Sequence, residues 1–207
     1  MVRIRQDTAR LRRHWDRQAP QYNRRMTTAE RFFGDTRSWL CGRAVGETLE
    51  VAVGTGLNFP HYPPEVQLTG VDLSPGMLQQ ARNRTDGPTS LTLTTGDAGE
   101  LDFPAESFDT VVSTFALCGV PDDRLVVEQF GSVLRPGGLL LVADHVVSTV
   151  LPVRLLQSVV ELVSVPFGNE TLRRRPIEHV LASGFMIEQH ERFRLGVIER
   201  FVARKPA

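Results

Sequence analysis

The 207-residue sequence has little of several features that would assign it to a class of protein. Its formal net charge is zero, and it has two cysteines, Cys41 and Cys118, far apart in sequence. Balanced charge argues against a general attraction to nucleic acid or to an acidic membrane. Two separated cysteines without C-x-x-C or Cys/His spacing predict reduced thiols, no structural metal and a cytoplasmic location.

The sequence also lacks segments that would divide or anchor it. No Pro/Gly/Ser-rich linker interrupts it, and with 41% apolar residues we expect one soluble domain over residues 1–207. The first six residues have no apolar run after their arginines, so we expect no secretory signal. The most apolar late segment, 146–165, contains a proline and two charged residues. It therefore predicts an amphipathic helix and not a membrane span.

Two common nucleotide-binding motifs are incomplete. A dinucleotide fingerprint needs a third glycine three residues after Gly56, and Phe59 stands there, which argues against NAD or FAD. A triphosphate-binding loop needs a lysine directly after its glycines, but the only lysine is Lys205. ATP and GTP are therefore disfavoured as ligands.

The most informative segment is Thr48-Leu-Glu-Val-Ala-Val-Gly-Thr-Gly56. An apolar, β-branched run that ends in small residues predicts a buried strand leading into a tight, ligand-facing turn. Gly54 and Gly56 allow unusual backbone angles and let a ligand lie against the main chain. A second predicted strand, 66–72, ends at Asp72, where a carboxylate can accept hydrogen bonds from a ribose. The two strands together predict a cofactor that contains a nucleoside.

Four short motifs carry a resemblance to a known family. Glu50, Ala52, Gly54 and Gly56 form the pattern acidic-x-small-x-Gly-x-Gly, which resembles the first motif of class I S-adenosylmethionine (SAM) methyltransferases, with Ala52 in place of the usual glycine. The other motifs, which resemble the second acidic motif, the adenine-contacting turn and the motif before strand five, are Asp72-Leu-Ser-Pro-Gly-Met-Leu, Gly96-Asp97-Ala98 and Leu134-Arg-Pro-Gly-Gly-Leu-Leu. The similarity is greatest to the ubiquinone and menaquinone C-methyltransferases and the methyltransferase-like thiol methyltransferases, through Leu-Glu-Val-x-x-Gly-Thr-Gly-x-Asn-Phe followed by Tyr62-Pro.

The resemblance implies a fold and a cofactor. The fold is α/β, with a Rossmann-like, seven-stranded, mostly parallel sheet, helices on both faces and an antiparallel last strand. The cofactor is SAM, with S-adenosylhomocysteine as product. We expect residues 1–46 to form a helical cap, 47–146 the SAM-binding core, and 147–207 an acceptor-covering segment with the last two strands. The expected cofactor-binding residues are Tyr22, Glu50, Ala52, Gly54, Thr55, Gly56, Asn58, Asp72, Leu73, Met77, Asp97, Ala98, Thr114 and Phe115.

Residues 1–46 combine many arginines with an apolar helical face. Thr27-Thr-Ala-Glu30 resembles a capping box, so we expect two helices over the site, the second beginning there. The arginines could form a nucleic-acid patch, but arginine replaces lysine throughout the chain, and aromatics at helical spacing favour core packing. In related methyltransferases a tyrosine in an Ala-x-x-Tyr segment, here Tyr22, closes over the methionine end of the cofactor. Simple core packing is an equal alternative for Tyr22.

Strands and helices are predicted to alternate through the rest of the chain, which favours a parallel sheet with right-handed crossovers. Ser74 is a good N-cap, with Pro75 at the first helical position. Asp97 follows a predicted strand at 90–95, and its carboxylate can either accept from an adenine amino group or bond within its own turn. Thr114 to Cys118 follow the fourth strand, where ligands collect in open α/β sheets, and Phe115 is expected to line the pocket.

Methyl transfer needs in-line attack on an electrophilic carbon, which positioning and exclusion of water can largely provide. The catalytic candidates are His145, as a general base after strand five, and Tyr22; a structural, hydrogen-bonded histidine is the alternative for His145. Cys118 has no histidine near it in sequence and is expected to pack beside the cofactor. By resemblance, Gly168, Asn169 and the arginines at 173–175 cover the acceptor; these arginines either steer an acidic acceptor or form a solvated charge run.

Three functions stay open. The first is SAM-dependent methyl transfer to a small molecule, in specialised metabolism, with an oxygen, nitrogen, sulfur or carbon acceptor atom. The second is a SAM-binding protein that transfers no methyl group, either a cyclase or a regulatory partner. The third is a nucleic-acid base methyltransferase, but the Asn/Asp-Pro-Pro-Tyr-like motif of those enzymes is missing after strand four, where Thr114-Phe-Ala-Leu stands. The sequence does not indicate an oligomeric state.

Overall fold

The computed structural model describes residues 2–168 and 171–207, in which strands and helices alternate. The strands are β1 (Glu47–Val51), β2 (Gln67–Asp72), β3 (Ser90–Thr95), β4 (Phe108–Thr114), β5 (Leu134–His145), β6 (Met186–Phe193) and β7 (Ile198–Arg204). The helices are α1 (Val2–Phe33), α2 (Thr36–Cys41), α3 (Pro75–Arg82), α4 (Asp123–Val133), α5 (Leu151–Gly168) and α6 (Pro176–Ala182), with a 3₁₀ turn at Phe59–His61.

The seven strands form one sheet in the order β3-β2-β1-β4-β5-β7-β6. Strands β1 to β5 pair in parallel, whereas β7 runs antiparallel to both β5 and β6. The predicted seven-stranded sheet with an antiparallel last strand is therefore confirmed. The strand order reverses between β1 and β4, and in open α/β sheets ligands bind beside such a reversal, at the carboxyl ends of the strands.

Helices cover both faces of the sheet because neighbouring strand residues point in opposite directions. Val111 and Leu140 pack on one side with Phe130 of α4. Val112 and Leu141, the next residues along the same strands, pack on the other side with buried residues of α2 and α3. This alternation produces two apolar layers and matches the predicted arrangement of helices.

The N-terminal region differs from the prediction, because one long helix, α1, runs through the expected break at Thr27-Thr-Ala-Glu30. The Thr27 hydroxyl donates to the carbonyl of Asn23 at 3.1 Å, a bond that lets threonine continue a helix. The break comes at Gly34, whose φ of +63° suits the left-handed conformation at the end of a helix. The capping-box interpretation was therefore wrong.

Strand β5 begins five residues earlier than the predicted 139–144, because Leu134 already pairs with Phe108 of β4 before a bulge, and regular pairing resumes at Leu139. Lys205 lies at this amino end of the strand, where its Nζ donates to the carbonyl of Leu134 at 2.7 Å. Within the described residues, no helix combines the length and the apolar character that crossing a bilayer requires.

Candidate active site at the carboxyl ends of β1, β2 and β4

A cleft of about 860 Å³ opens where the sheet order reverses. This volume includes the part of the cleft that is open to solvent. The strand ends and following loops form its floor, and α1 forms one wall through Thr8, Leu11, Trp15 and Tyr22. Ten expected cofactor-binding residues line it: Tyr22, Ala52, Gly54, Asp72, Leu73, Met77, Asp97, Ala98, Thr114 and Phe115.

Asp72 is held firmly at the end of β2. One carboxylate oxygen accepts from the N–H of Gly54 and the other from the N–H of Ser74, both at 2.8 Å. Burial raises the pKa of Asp72 to about 6. Each oxygen has a second lone pair, so the carboxylate can also accept from ligand hydroxyls in the cleft. The geometry fits a ribose diol.

Two lining residues adopt a backbone conformation that residues with a side chain rarely take. Ala52 after β1 has φ +59°, and Phe115 after β4 has φ +55°. The left-handed region costs a residue with a Cβ about 1–2 kcal/mol. Such strain clusters at ligand sites. The positive φ at Ala52 explains why the family usually has glycine there, because glycine adopts this conformation without steric cost. The sequence alone did not show this backbone angle.

Gly54 and Gly56 have different requirements. Both have positive φ, of +58° and +75°, but a Cβ on Gly54 would meet no side chain, whereas one on Gly56 would lie 2.4 Å from the ring of Phe59. Phe59 is buried and fills this space. The residue that breaks the dinucleotide fingerprint is therefore the one that requires glycine at position 56.

Four expected residues lie outside the lining of the cleft: Glu50, Thr55, Gly56 and Asn58. The amide of Asn58 donates to Glu50 Oε1 at 2.8 Å, and the Tyr62 hydroxyl donates to Glu50 Oε2 at 2.9 Å. The Asn58 side chain also accepts from Arg37 Nη1 at 2.7 Å and donates to the Thr114 hydroxyl at 2.9 Å. Burial raises the pKa of Glu50 to about 7. This network lies behind the cleft and joins the ends of β1 and β4.

Helix α1 is fixed across the cleft by polar contacts that the sequence did not reveal. Asp16 Oδ1 accepts from the Ser74 hydroxyl at 2.6 Å and from the N–H of Gly76 at 3.0 Å. The Thr55 hydroxyl donates to Asn23 Oδ1 at 2.5 Å. Further along the helix, Glu30 accepts from the buried guanidinium of Arg37 at 2.9 Å. Because the partners of Asp16 and Asn23 are 32 to 60 residues away in sequence, no local pattern could have paired them.

Asp97 lies at the adenine end expected for the cleft. Its Oδ1 accepts from the N–H of Gly99 at 2.9 Å, and its Oδ2 accepts from the hydroxyl of Thr8 at 3.2 Å. The turn bond that was the alternative role of Asp97 is therefore present. Since Asp97 also lines the cleft, this bond does not prevent contact with a ligand.

His145 lies behind the cleft rather than in its lining. Its ring packs edge-on against Phe33 and at a tilt against Phe115, and burial lowers its pKa to about 4. Its Nδ1 is 3.9 Å from Cys118 Sγ, and Cys118 does line the cleft. A histidine is therefore close to Cys118 in space although none is close in sequence.

Asp144 completes this group. Its carboxylate accepts from the N–H groups of Cys118 at 3.2 Å and His145 at 2.7 Å, and burial raises its pKa to about 6. The sulfur, imidazole and carboxylate ligand atoms lie within 4.8 Å of one another. The sequence has no Cys/His spacing that would predict this grouping. The three residues come together because β4 and β5 are adjacent in the sheet.

The arginines at 173–175 are each engaged within the protein. Arg173 binds Glu161 of α5, Arg174 donates to the carbonyls of Leu117 and Val120, and Arg175 pairs with Glu178. Arg174 therefore supports the loop that lines the cleft and is not part of a solvated run. Of the other residues expected to cover the acceptor, Asn169 lies outside the described residues, and Gly168 ends α5.

Comparison with known proteins agrees with this geometry. Residues 49–142 match a family model described as a methyltransferase domain. The chain is 43% identical over 104 residues to a phosphatidylethanolamine N-methyltransferase from Cereibacter sphaeroides, and the aligned region covers 48% of this chain and 51% of that protein. It is 28% identical over 179 residues to a demethylmenaquinone methyltransferase from Clavibacter sepedonicus, and the aligned region covers 77% of this chain and 73% of that protein.

The fold is also found among solved structures. A SAM-dependent methyltransferase from Thermotoga maritima superposes with a TM-score of 0.72 at 21% identity, over 93% of this chain and 99% of that chain. At such low identity the likeness shows the fold alone. The chain spans about half the length of the phosphatidylethanolamine relative. Residues 49–142 therefore match a methyltransferase domain, and the strand order and the glycine-containing turn beside Asp72 give the chain the fold of SAM-dependent methyltransferases.

Proposed function

We propose that the protein transfers a methyl group from SAM to a small-molecule acceptor. The observation that carries this proposal is the placement of the Asp72 carboxylate against the N–H of Gly54, at the ends of two adjacent parallel strands in the cleft. The carboxylate and the turn offer acceptors and close backbone approach to one adenosyl group. The methyltransferase domain match supports the same reaction.

Three groups in the lining would hold the cofactor. Asp72 would accept from the ribose, Asp97 from the adenine amino group, and the turn at Ala52 to Gly54 would face the methionine end with Tyr22 above it. SAM supplies an electrophilic methyl group on a sulfonium that leaves as a neutral thioether. We assign Glu50 and Asn58 a positioning role, because they fix the ends of β1 and β4 without reaching the cleft.

The protein's own contribution to the rate is then positioning and the exclusion of water. Leu11 and Trp15 of α1, with Phe115 opposite, give the cleft an apolar wall beside the transfer site. A neutral imidazole at His145 is available at pH 7, because its pKa is about 4. Phe115 and Cys118 stand between this ring and the cleft, so a direct proton transfer by His145 stays a prediction. Full turnover by His145→Ala would leave proximity as the main source of rate.

Two relatives suggest the class of acceptor. Phosphatidylethanolamine and demethylmenaquinone are both lipids, one with an amine headgroup and one with a quinone ring. We therefore propose an amphiphilic acceptor whose reactive end enters the cleft, with nitrogen or carbon as the methylated atom. Cys41 and Cys118 are not joined in a disulfide, which supports a reaction in the cytoplasm, where thiols stay reduced.

Calorimetry with SAM and S-adenosylhomocysteine tests the cofactor site. Asp72→Ala should weaken binding of both by about 100-fold, because a buried charge-assisted contact is lost. Asp86→Ala removes an exposed carboxylate and serves as the matched control, with unchanged affinity. Parent-like affinity of Asp72→Ala would refute the ribose assignment. Methyl transfer to amine lipids and quinones, followed with a labelled methyl group, then separates the proposed activity from a SAM-binding protein that transfers nothing.

A further inference from the structure

Helix α5 presents apolar side chains to solvent and polar side chains to the protein. Most helices on a domain surface show the opposite arrangement. In its described side chains, the inward face contains Gln157 and Glu161, which are 5% and 8% exposed. The outward face is apolar, and we call the following six residues the α5 face: Leu151 (64% exposed), Leu155 (61%), Leu156 (61%), Val159 (60%), Val160 (41%) and Leu162 (76%).

Hydrogen bonds hold the helix in this orientation. Gln157 Oε1 accepts from the N–H of Ser148 at 2.8 Å, and its Nε2 donates to the carbonyls of Val146 and Leu172 at 2.9 and 3.2 Å. Glu161 accepts from the N–H and the guanidinium of Arg173 at 2.9 and 2.5 Å. Rotating the helix to bury its leucines would break these buried and partly buried bonds. The exposure of the α5 face is therefore a built feature of the fold.

The α5 face lies next to the cleft through one short segment, 171–175. The N–H of Thr171 donates to the carbonyl of Cys118 at 2.8 Å, and Arg174 holds the carbonyls of Leu117 and Val120. Cys118 and Val120 line the cleft. The carbonyl of Leu172 in the same segment accepts from Gln157. A surface bound to the α5 face would therefore be beside the cleft.

The chemistry of the α5 face favours lipid over protein as its occupant. It contains leucine and valine only, whereas protein interfaces concentrate binding energy in Trp, Tyr and Arg and pair polar groups around the contact. The 18 residues of α5 span about 27 Å, but no helix among the described residues is long and apolar enough to cross a bilayer, whereas an apolar helix face of this size is suited to lie in the bilayer interface. The adjoining Arg173 and Arg175 have side chains that are 49% and 53% exposed. Each is paired with a glutamate, but a guanidinium has five N–H donors, and the remaining exposed donors can bind anionic headgroups.

We propose that the α5 face docks on the surface of a bilayer that contains anionic lipid, and that a membrane-borne acceptor reaches the cleft from there. The location of the acceptor rests on the proposed function, but the docking itself does not. Apolar contact supplies most of the binding, and the arginines add an anionic preference. The helix lies in the interface and does not span the membrane.

Vesicle flotation of the full chain tests the docking. The parent should float with vesicles of phosphatidylcholine and phosphatidylglycerol, and more weakly with phosphatidylcholine alone. Leu155→Glu/Leu156→Glu should reduce vesicle binding at least tenfold, because two carboxylates enter the apolar layer. Leu181→Glu on α6 adds a carboxylate at another exposed leucine and should bind as the parent does. Arg175→Gln should reduce binding to the anionic vesicles about fivefold and leave binding to phosphatidylcholine unchanged.

Three results would overturn the docking proposal. They are a parent that binds neither kind of vesicle, a double variant that binds as well as the parent, or a parent whose sedimentation shows a dimer that the double variant abolishes without vesicle binding. The last result would assign the face to a second copy of the chain. SAM calorimetry on the same double variant should match the parent, so a failure of the proposed function would appear there and not in flotation.

Discussion

Helices α1 and α5 both lie beside the cleft, and they are built in opposite ways. Helix α1 buries Leu11, Ala19 and Phe33, and its described arginines at positions 10, 12, 13, 17, 24, 25 and 31 are exposed. Helix α5 buries Gln157 and Glu161 and exposes leucines. Helix α1 combines apolar burial with the polar contacts of Asp16, Asn23 and Glu30, whereas the inward contacts described for α5 are polar. An apolar pattern therefore identifies a helix without telling which side of it faces the protein.

The largest effect should come from removing the polar attachment of α5. Gln157→Leu leaves one N–H and two carbonyls unpaired in a buried place, so we expect a loss of about 4 kcal/mol in the free energy of unfolding. Gln21→Leu on the exposed side of α1 is the control, with a change below about 0.5 kcal/mol. Urea unfolding measures both. Equal stability of parent and Gln157→Leu would show that α5 is not attached through its polar face.

The contribution of Glu50 to the free energy of unfolding should depend on pH. The pKa of Glu50 is raised from 4.5 to about 7 by burial, so its contribution to stability is fully present below pH 4.5 and is lost as the pH rises through 7. The contribution is on the order of 3 kcal/mol. Glu50→Gln should remove this decline and leave a flatter stability profile between pH 5 and 8.

Only the difference between the two proteins isolates Glu50. Asp72 and Asp144 have raised pKa values and weaken the fold with rising pH in the same direction, whereas the lowered pKa of His145 has the opposite effect below pH 6.5. These contributions remain in both proteins. Parallel unfolding curves for parent and variant across the range would contradict the assignment to Glu50.

A matched pair of truncations compares the apolar sides directly. Leu11→Ala on α1 should cost about 2 kcal/mol, because a buried side chain is lost from the wall of the cleft. Leu155→Ala on α5 should change the free energy of unfolding by less than about 0.5 kcal/mol, since that side chain is already exposed. A cost of 2 kcal/mol for Leu155→Ala in the isolated protein would mean that its side chain is covered.

The smallest effect concerns the strained turn. Ala52→Gly should raise the free energy of unfolding by up to about 1 kcal/mol, because glycine takes a φ of +59° without steric cost. Affinity for SAM should be unchanged. A loss of stability from Ala52→Gly, measured by thermal unfolding, would show that the methyl group makes a packing contact worth more than the strain.

The sequence predicted what depends on local pattern. Ser74 caps α3 through a bond to the N–H of Met77, and Asp72 stands at the end of β2 against the glycine turn, as its position predicted. The four motifs were short, local and tied to strand ends, and the seven-stranded, mostly parallel sheet with an antiparallel last strand followed from the family that they resemble. These features covered most of the sheet and the floor of the cleft.

The parts that escaped prediction depend on distant partners. Arg37 joins Glu30 to Asn58 and Thr114, residues up to 77 positions away, and nothing near Arg37 in sequence indicates them. Cys118 and His145 meet only because β4 and β5 are adjacent. Capping rules treat Thr27 as a residue that starts a helix. In the structure its hydroxyl bonds to the carbonyl of Asn23, and helix α1 continues through it. In each case tertiary structure decided between local alternatives.

The solitary lysine has a practical consequence. Lys205 lies at the amino end of β5, whereas the cleft lies at the carboxyl ends of the strands. Amine-reactive chemistry directed at this side chain would attach a fluorophore or a surface tether at the amino end of β5, opposite the strand ends that form the cleft. If the protein is immobilised through that side chain, its cleft would be directed away from the support.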